Sequence, residues 1–78
     1  KIDSIIDKFS IGWSVDRLST VDKAILRIAV YEIMFDDDIP NKVSVNEAVE
    51  LAKEFSEDKA PSFINGVLGK VVRYKEAN

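Results

Sequence analysis

The stretch that decides the fold is STVDKAILRIAVYEIMF, residues 19–35. Ser19, followed three positions later by Asp22, is typical of a helix N-terminus, where side-chain oxygens accept the free backbone N–H groups. A helix that is apolar over more than half of its circumference belongs in the middle of a bundle, so we predict a central helix over residues 20–35. Two adjoining apolar rows at helical spacing support this: Val21, Ile25 and Ile28, and Leu26, Ala29 and Ile33.

Downstream of this helix, residues 36–40 read DDDIP and predict a turn, because a residue before proline is pushed towards extended geometry. Ser44 and Glu47 then match the S-x-x-E capping box, with apolar residues in both positions of a hydrophobic staple. We therefore predict a third helix over residues 45–55. Its solvated face carries Glu47, Glu50 and Glu54.

A fourth apolar stripe follows Pro61, a residue that suits the first turn of a helix because no N–H is needed there. The stripe predicts a helix over residues 61–74. Asn65-Gly66 is also the strongest hairpin dipeptide, so a hairpin remains an alternative, although its flanks do not alternate between apolar and polar. Glycine within a helix costs about 1 kcal/mol relative to alanine, and we expect Gly66 to let a neighbouring helix, or less readily a ligand, come close. The stripe consists of Ile64, Val67, Leu68 and Val71.

Upstream, apolar residues at helical spacing predict a short helix over residues 2–9. No capping residue precedes it, so we expect this helix to begin upstream of Lys1 and the chain to be cut from a longer protein. Trp13 lies in the break after this helix, where it either covers the core or anchors an interface. The chain is thus predicted to be all-α, a single helical subdomain over residues 1–78 with about four helices.

The composition excludes several function classes. The 78 residues, 46% hydrophobic and 32% charged, fit one globular domain. The absence of cysteine and histidine removes thiol nucleophiles, disulfides and the commonest general base and zinc ligands. Asp36, Asp38 and Glu47 match three positions of a calcium loop, but Pro40 and Asn41 break the remainder of that pattern. We expect no enzymatic activity, no metal and no cofactor.

No apolar run approaches the roughly 18 to 20 residues that cross a bilayer, and no signal-peptide pattern is present. We therefore expect a cytoplasmic protein that does not contact membranes. The net charge of −3 is unevenly distributed, since residues 36–58 carry two lysines against eight carboxylates, whereas residues 59–75 carry four cations and no carboxylate. These segments either serve two partners or are solvated helix faces with cations at a helix C-terminus.

One pair of residues suggests nucleic-acid binding. Phe63, close to Lys59 at a helix N-terminus, offers a stacking platform for an unpaired RNA base. The alternative is that Phe63 belongs to the edge of the core. The cations Lys70, Arg73 and Lys75 either meet phosphates or offset the helix dipole.

Three uncommon sequence segments carry a family resemblance. They are W-x3-RLSTVDKAILRIAVYEI at residues 13–33, DIPNKVSVNEAVELAKEF at residues 38–55 and SFINGVL at residues 62–68. In this order they resemble the C-terminal half of NusB, a family of bacterial transcription antitermination factors. The resemblance implies an all-helical fold of two bundles. It also implies action with NusE, a small-subunit ribosomal protein, on boxA RNA in the RNA polymerase antitermination complex.

The resemblance implies roles for particular residues. Phe63 resembles the family's aromatic near the RNA surface, and Asp22 an acidic residue on the side that faces NusE. The helix with Glu47, Glu50 and Glu54 becomes a candidate docking surface for a basic protein, and Gly66 a helix-packing glycine. Because the family's arginine-rich N-terminal helix has no counterpart in this sequence, we expect boxA RNA to bind weakly if at all. Gly69 also stands where the family often has aspartate.

Two other interpretations remain open. The chain could be the NusB-like accessory domain of a ribosomal RNA cytosine methyltransferase, although its polar ending, VVRYKEAN, argues against a domain that follows. It could also self-associate through apolar surface exposed by a missing half, which is compatible with antitermination. The leading interpretation is a non-enzymatic module that binds RNA and protein.

Overall fold

The computed structural model describes residues 1–10 and 18–78, which form four α-helices and no strand. The predicted all-α bundle is confirmed, and the hairpin alternative is excluded because Asn65 and Gly66 lie within a helix. Trp13 lies outside the described residues. The helices are α1 (Ile2–Phe9), α2 (Thr20–Phe35), α3 (Asn41–Phe55) and α4 (Ala60–Ala77).

Helices α2 and α4 form the centre of the bundle. They pack against each other, and each also packs against α1 and α3. The predicted central helix α2 therefore shares the centre with α4, and each of the two contributes five buried residues. The largest fully buried apolar side chains are Ile6, Leu26, Val30, Ile33, Ile64, Leu68 and Val71.

Only part of the apolar surface of α2 is buried. The row with Leu26, Ala29 and Ile33 faces the core, whereas Ile28 in the other row is 58% exposed. Helix α2 is central, since it packs against the other three helices, but its second apolar row is covered only at Ile25. The exposed side chains of α2 are Val21, Ile28, Tyr31 and Phe35.

Helix α2 begins as predicted. Ser19 has an extended backbone, and its Oγ accepts a hydrogen bond from the backbone N–H of Asp22 at 3.1 Å. The carboxylate of Asp22 accepts a hydrogen bond from the hydroxyl of Ser56, which follows the last residue of α3. Asp22 thus ties the start of α2 to the end of α3.

Helix α3 begins at Asn41, earlier than the predicted start at Val45. Pro40 is its N-cap residue, and the Pro40 carbonyl accepts hydrogen bonds from the N–H groups of Val43 and Ser44 at 2.9 and 3.3 Å. A proline restricts the residue before it, but its own fixed φ, here −58°, and its free carbonyl are compatible with a helix start.

The predicted capping box at Ser44 and Glu47 is therefore wrong. Ser44 lies inside α3 and is 1% exposed, and its Oγ has no hydrogen-bond partner among the described residues. Ser44, Ala48 and Ala52 recur every four residues and form the buried face of the helix. This face is closely packed, and serine is small enough to be buried in it.

Helix α4 contains Pro61 in its first turn, as predicted, and runs past the predicted end at residue 74. The expectation that Gly66 packs against a neighbouring helix is wrong. Gly66 is exposed, and a Cβ placed on it would meet no atom within 4 Å.

Helix α1 is held by polar and aromatic contacts as well as by its buried Ile6. Arg27 donates two hydrogen bonds to Asp3, at 2.8 and 2.7 Å, and lowers the pKa of that carboxyl below its ordinary value of about 3.8. The pair therefore stabilises the fold above that ordinary pKa, and its contribution is lost as the pH falls through the lowered value. The rings of Phe9 and Tyr74 lie 5.4 Å apart. None of these described helices combines the length and apolarity of a membrane span.

Candidate functional site

The first candidate site is a cleft at the start of α4. Lys59 and Phe63 lie one turn apart, since the Phe63 N–H donates to the Lys59 carbonyl at 3.2 Å. Both line a cleft of about 390 Å³, and so does Asp22 from the start of α2. The structure thus brings together three residues that the sequence analysis assigned to two different partners. The remaining lining residues are Leu18, Ser19, Glu57 and Ala60.

The charge of this cleft is mixed. The ammonium of Lys59 shares the walls with the carboxylates of Asp22 and Glu57. A phosphate here would meet two like charges for one opposite charge, so the cleft is poorly suited to an RNA backbone. Carboxylates accept hydrogen bonds, so a base edge or a basic side chain fits it better. Sequence reasoning missed Glu57, because the fold alone brings the connector before α4 against the start of α2.

The position of Phe63 is compatible with both of the interpretations considered for it. Its side chain is half-buried and packs against the core cluster, while its remaining surface lines the cleft with Lys59. An aromatic ring fixed by the core loses little further freedom when a base stacks on it.

A second groove lies on the other side of Phe63. It measures about 210 Å³ and runs between the end of α1 and the outer face of α4. Lys70 supplies its only charged wall among the described residues, and no carboxylate lines it. Sequence reasoning missed this groove, although residues 59, 63, 66 and 70 share one helix face and give a signal. The lining residues are Phe9, Ser62, Phe63, Gly66, Val67 and Lys70.

The predicted acidic face lies on α3. Glu47, Glu50 and Glu54 are exposed and line one shallow cleft of about 360 Å³. Glu50 also pairs with Lys53 at 3.0 Å on the same helix. Asp22 lies apart from this cleft, at the junction with Ser56.

The acidic face has an apolar centre that the sequence analysis did not find. Val43 and Leu51 line the same cleft as the glutamates and are 47% and 37% exposed. Both also line a neighbouring cleft of about 260 Å³ between α2 and α3, together with Ile28 and Glu32. We call the exposed surface of Ile28, Val43 and Leu51 with its surrounding glutamates the α2/α3 groove. Only the packing of the two helices makes it continuous.

The remaining cations of α4 have different environments. Lys75 binds Asp37 at 2.9 Å and holds the end of α4 to the loop between α2 and α3, which favours a structural role. Arg73 is exposed. Lys8 of α1 lies over the Tyr74 ring at 4.5 Å.

In residues 1–10 and 18–78, acidic side chains do not cluster in a way that would hold a metal ion.

The sequence and the fold of this chain are similar to those of known proteins. A family model described as the NusB family matches residues 1–73. The chain is 63% identical over 71 residues to the transcription antitermination protein NusB of Natranaerobius thermophilus, covering 91% of this chain. It is 52% identical over 71 residues to the protein of the same name from Bacillus pumilus.

A solved structure of T. maritima NusB superimposes with a TM-score of 0.87 at 40% sequence identity, covering 92% of this chain. The chain spans about half the length of these proteins: 51% of the Natranaerobius protein, 54% of the Bacillus protein and 51% of the T. maritima chain.

Proposed function

Since this chain belongs to the NusB family, we propose that it is a transcription antitermination subdomain, a non-enzymatic module that binds RNA and a protein partner. It corresponds to the C-terminal half of the family's fold and acts in the bacterial cytoplasm, in the RNA polymerase antitermination complex. The name of the relatives, transcription antitermination protein NusB, supports this role over that of an accessory domain of an RNA methyltransferase.

The observation that carries the proposal is that the acidic cleft of α3 shares no lining residue with the two clefts beside Phe63 on α4. The outer face of α3 carries carboxylates around an apolar centre. On α4, Lys59 and Lys70 lie in the two clefts that Phe63 lines, and residues 59–75 include no carboxylate. One surface suits a basic protein and the other suits RNA, so both can be occupied together.

The protein partner is NusE, and it docks on the α2/α3 groove. Interfaces commonly place apolar side chains at the centre and charged ones at the rim. Ile28, Val43 and Leu51 supply the centre, and Glu47 and Glu54 supply a rim that attracts a basic partner. Asp22, which the family resemblance assigns to the side that faces NusE, lies apart from this groove and lines the cleft with Lys59 and Phe63.

The RNA partner is boxA RNA, and it stacks on Phe63 with Lys59 nearby. Stacking on one aromatic ring with few cations gives low affinity, so this chain alone binds RNA weakly. Prior docking of NusE would add contacts and strengthen the complex by linking two weak interactions.

The protein-docking part is tested by reversing charge on α3. The double variant Glu47→Lys/Glu54→Lys leaves the Glu50–Lys53 pair intact. We expect its affinity for purified bacterial NusE to fall at least about tenfold in low salt, with a smaller loss in high salt. Isothermal titration calorimetry at two salt concentrations measures both.

The matched control is Asp38→Lys/Glu76→Lys, which changes net charge equally at two exposed residues outside the clefts described above. An equal loss of affinity in both variants would mean that NusE senses total charge only. Unchanged affinity of the α3 variant would show that its acidic face is merely solvated.

The RNA part is tested by titrating isotope-labelled chain with a single-stranded boxA oligoribonucleotide and following amide NMR peaks. We expect shifts around Phe63 and Lys59, and a reduction of affinity by about fivefold or more in Phe63→Leu, because leucine keeps the core contact but cannot stack. Peaks that do not move at any RNA concentration would refute RNA binding by this chain.

Self-association is a further property of the same molecule. Ile28, Tyr31 and Phe35 expose apolar surface on the outer side of α2, and such surface favours association. A mass that rises with concentration in wild type, but not in Ile28→Ser, would support it, and a constant mass would refute it.

A further inference from the structure

Gly66 is unexplained by the fold. Glycine weakens a helix interior relative to alanine, yet α4 carries it in its middle. No neighbouring atom requires the missing side chain, since a Cβ at this position would lie in open space. Gly66 therefore weakens α4 without improving its packing in the bundle, and it leaves the helix backbone at this position accessible to a ligand.

The exposed backbone of Gly66 lies in a groove with the features of a nucleotide site. Phe63 and Phe9 provide aromatic walls, and Lys70 provides a cation one turn beyond Gly66. Ser62 lines the same groove, and a serine hydroxyl can both donate and accept a hydrogen bond. Aromatic rings beside a cation are the elements with which proteins hold unpaired nucleotides.

The two sides of Phe63 differ in the charge that they offer. On the side of Lys59, the carboxylates of Asp22 and Glu57 oppose a phosphate. On the side of Gly66, Lys70 is the charged residue among the described lining residues. Electrostatics therefore directs a polyanion to the Gly66 side.

From this we propose that the groove between α1 and α4 holds one unpaired nucleotide of the bound RNA. Its base stacks on Phe63, and its sugar and phosphate cross the bare backbone at Gly66 towards the ammonium of Lys70. This inference rests on the RNA binding proposed above and adds the path of the strand. Gly66 is the determinant of that path, because a methyl group there fills space that the nucleotide needs.

The test replaces each of two glycines in α4 by alanine. Gly66→Ala and Gly69→Ala both raise helix propensity, and a Cβ at Gly69 would make an ordinary 3.7 Å contact with Arg73. We expect both variants to melt at a higher temperature than the unchanged chain. Only Gly66→Ala is expected to lose affinity, by about fivefold or more, for a single-stranded boxA oligoribonucleotide in the amide NMR titration.

A second variant tests the path of the phosphate. Lys70→Gln is expected to reduce the slope of log affinity against log salt by about 0.7, the value for one contact with a single strand. Lys75→Gln is the matched control, because Lys75 binds Asp37 and does not line the groove. Its slope is expected to equal that of the unchanged chain.

The outcomes separate this inference from RNA binding itself. If Phe63→Leu weakens binding while Gly66→Ala binds RNA as the unchanged chain does, the nucleotide does not cross Gly66, and RNA binding at Phe63 stands. If the unchanged chain shows no peak shifts with RNA, RNA binding and this inference both fall. Greater stability with weaker binding in Gly66→Ala alone establishes the groove as part of the RNA site.

Discussion

Helices α3 and α4 both pack on α2 but are built in opposite ways. The buried face of α3 consists of small residues, Ser44, Ala48 and Ala52, whereas that of α4 contains Ile64 and Leu68 among its large side chains. Their outer faces are also opposite, acidic on α3 and basic on α4. Small side chains allow helices to pack closely, and large ones fill the space between them. Large side chains of α4 therefore fill the core of the bundle, and α3 packs closely against that core through small side chains.

The largest effect is expected where α4 fills the centre. Leu68 is fully buried, so Leu68→Ala should lower the free energy of unfolding by about 2 to 5 kcal/mol through lost burial and a residual cavity. Urea denaturation measures the loss. A loss below about 1 kcal/mol would mean that α4 does not fill the core.

The opposite change is expected to damage α3. Ala52 is fully buried, and Ala52→Leu should lower the free energy of unfolding by about 1 to 3 kcal/mol because no space exists for the larger side chain. Ala24→Leu is the matched control, since Ala24 is exposed on α2. Equal unfolding midpoints for the two variants would contradict close packing of α3.

Two serine-to-alanine variants, one within α3 and one before α2, should change the free energy of unfolding in opposite directions. Ser44→Ala should raise the free energy of unfolding by about 1 kcal/mol, because it removes a buried hydroxyl without a partner and improves helix propensity. Ser19→Ala should lower it by about 1 kcal/mol, because Ser19 caps α2. Thermal melts of both variants check this, and destabilisation by Ser44→Ala would restore the capping role.

The smallest effects concern the contacts that hold the C-terminal ends of the two helices. Ser56→Ala should cost about 1 kcal/mol, since it removes a partly buried hydrogen bond to Asp22. Lys75→Gln should cost less than about 0.5 kcal/mol, because its partner Asp37 is 88% exposed. Denaturation at low and high salt distinguishes them, since only the Lys75 pair is sensitive to screening. Equal costs would show that both contacts are equally solvated.

Local signals predicted the helices well where one residue type decided the geometry. Ser19 caps α2 as its spacing indicates, and Pro61 lies in the first turn of α4. The S-x-x-E motif at Ser44 gave a wrong helix start, because α3 already begins after Pro40. The Pro40 carbonyl accepts the first hydrogen bonds of that helix. A four-residue recurrence of small side chains from Ser44 was present in the sequence and identifies it as a core position.

The candidate sites were predictable only in part, because charge is visible in a sequence and neighbourhood is not. The glutamates of α3 and the pair of Lys59 and Phe63 were found from spacing. The convergence of Asp22 and Lys59 in one cleft depends on how the starts of α2 and α4 meet. The open space at Gly66 likewise depends on where α1 ends.

Helix α1 is short, with Ile6 as its one fully buried apolar residue. Its amide protons are therefore expected to exchange with solvent by local opening, while those of α2 and α4 require unfolding of the whole bundle. Phe9 lies at the end of α1 and forms one wall of the groove beside Phe63. The groove thus exists only while α1 is docked. RNA that fills it should slow amide exchange throughout α1, including residues that the RNA never touches.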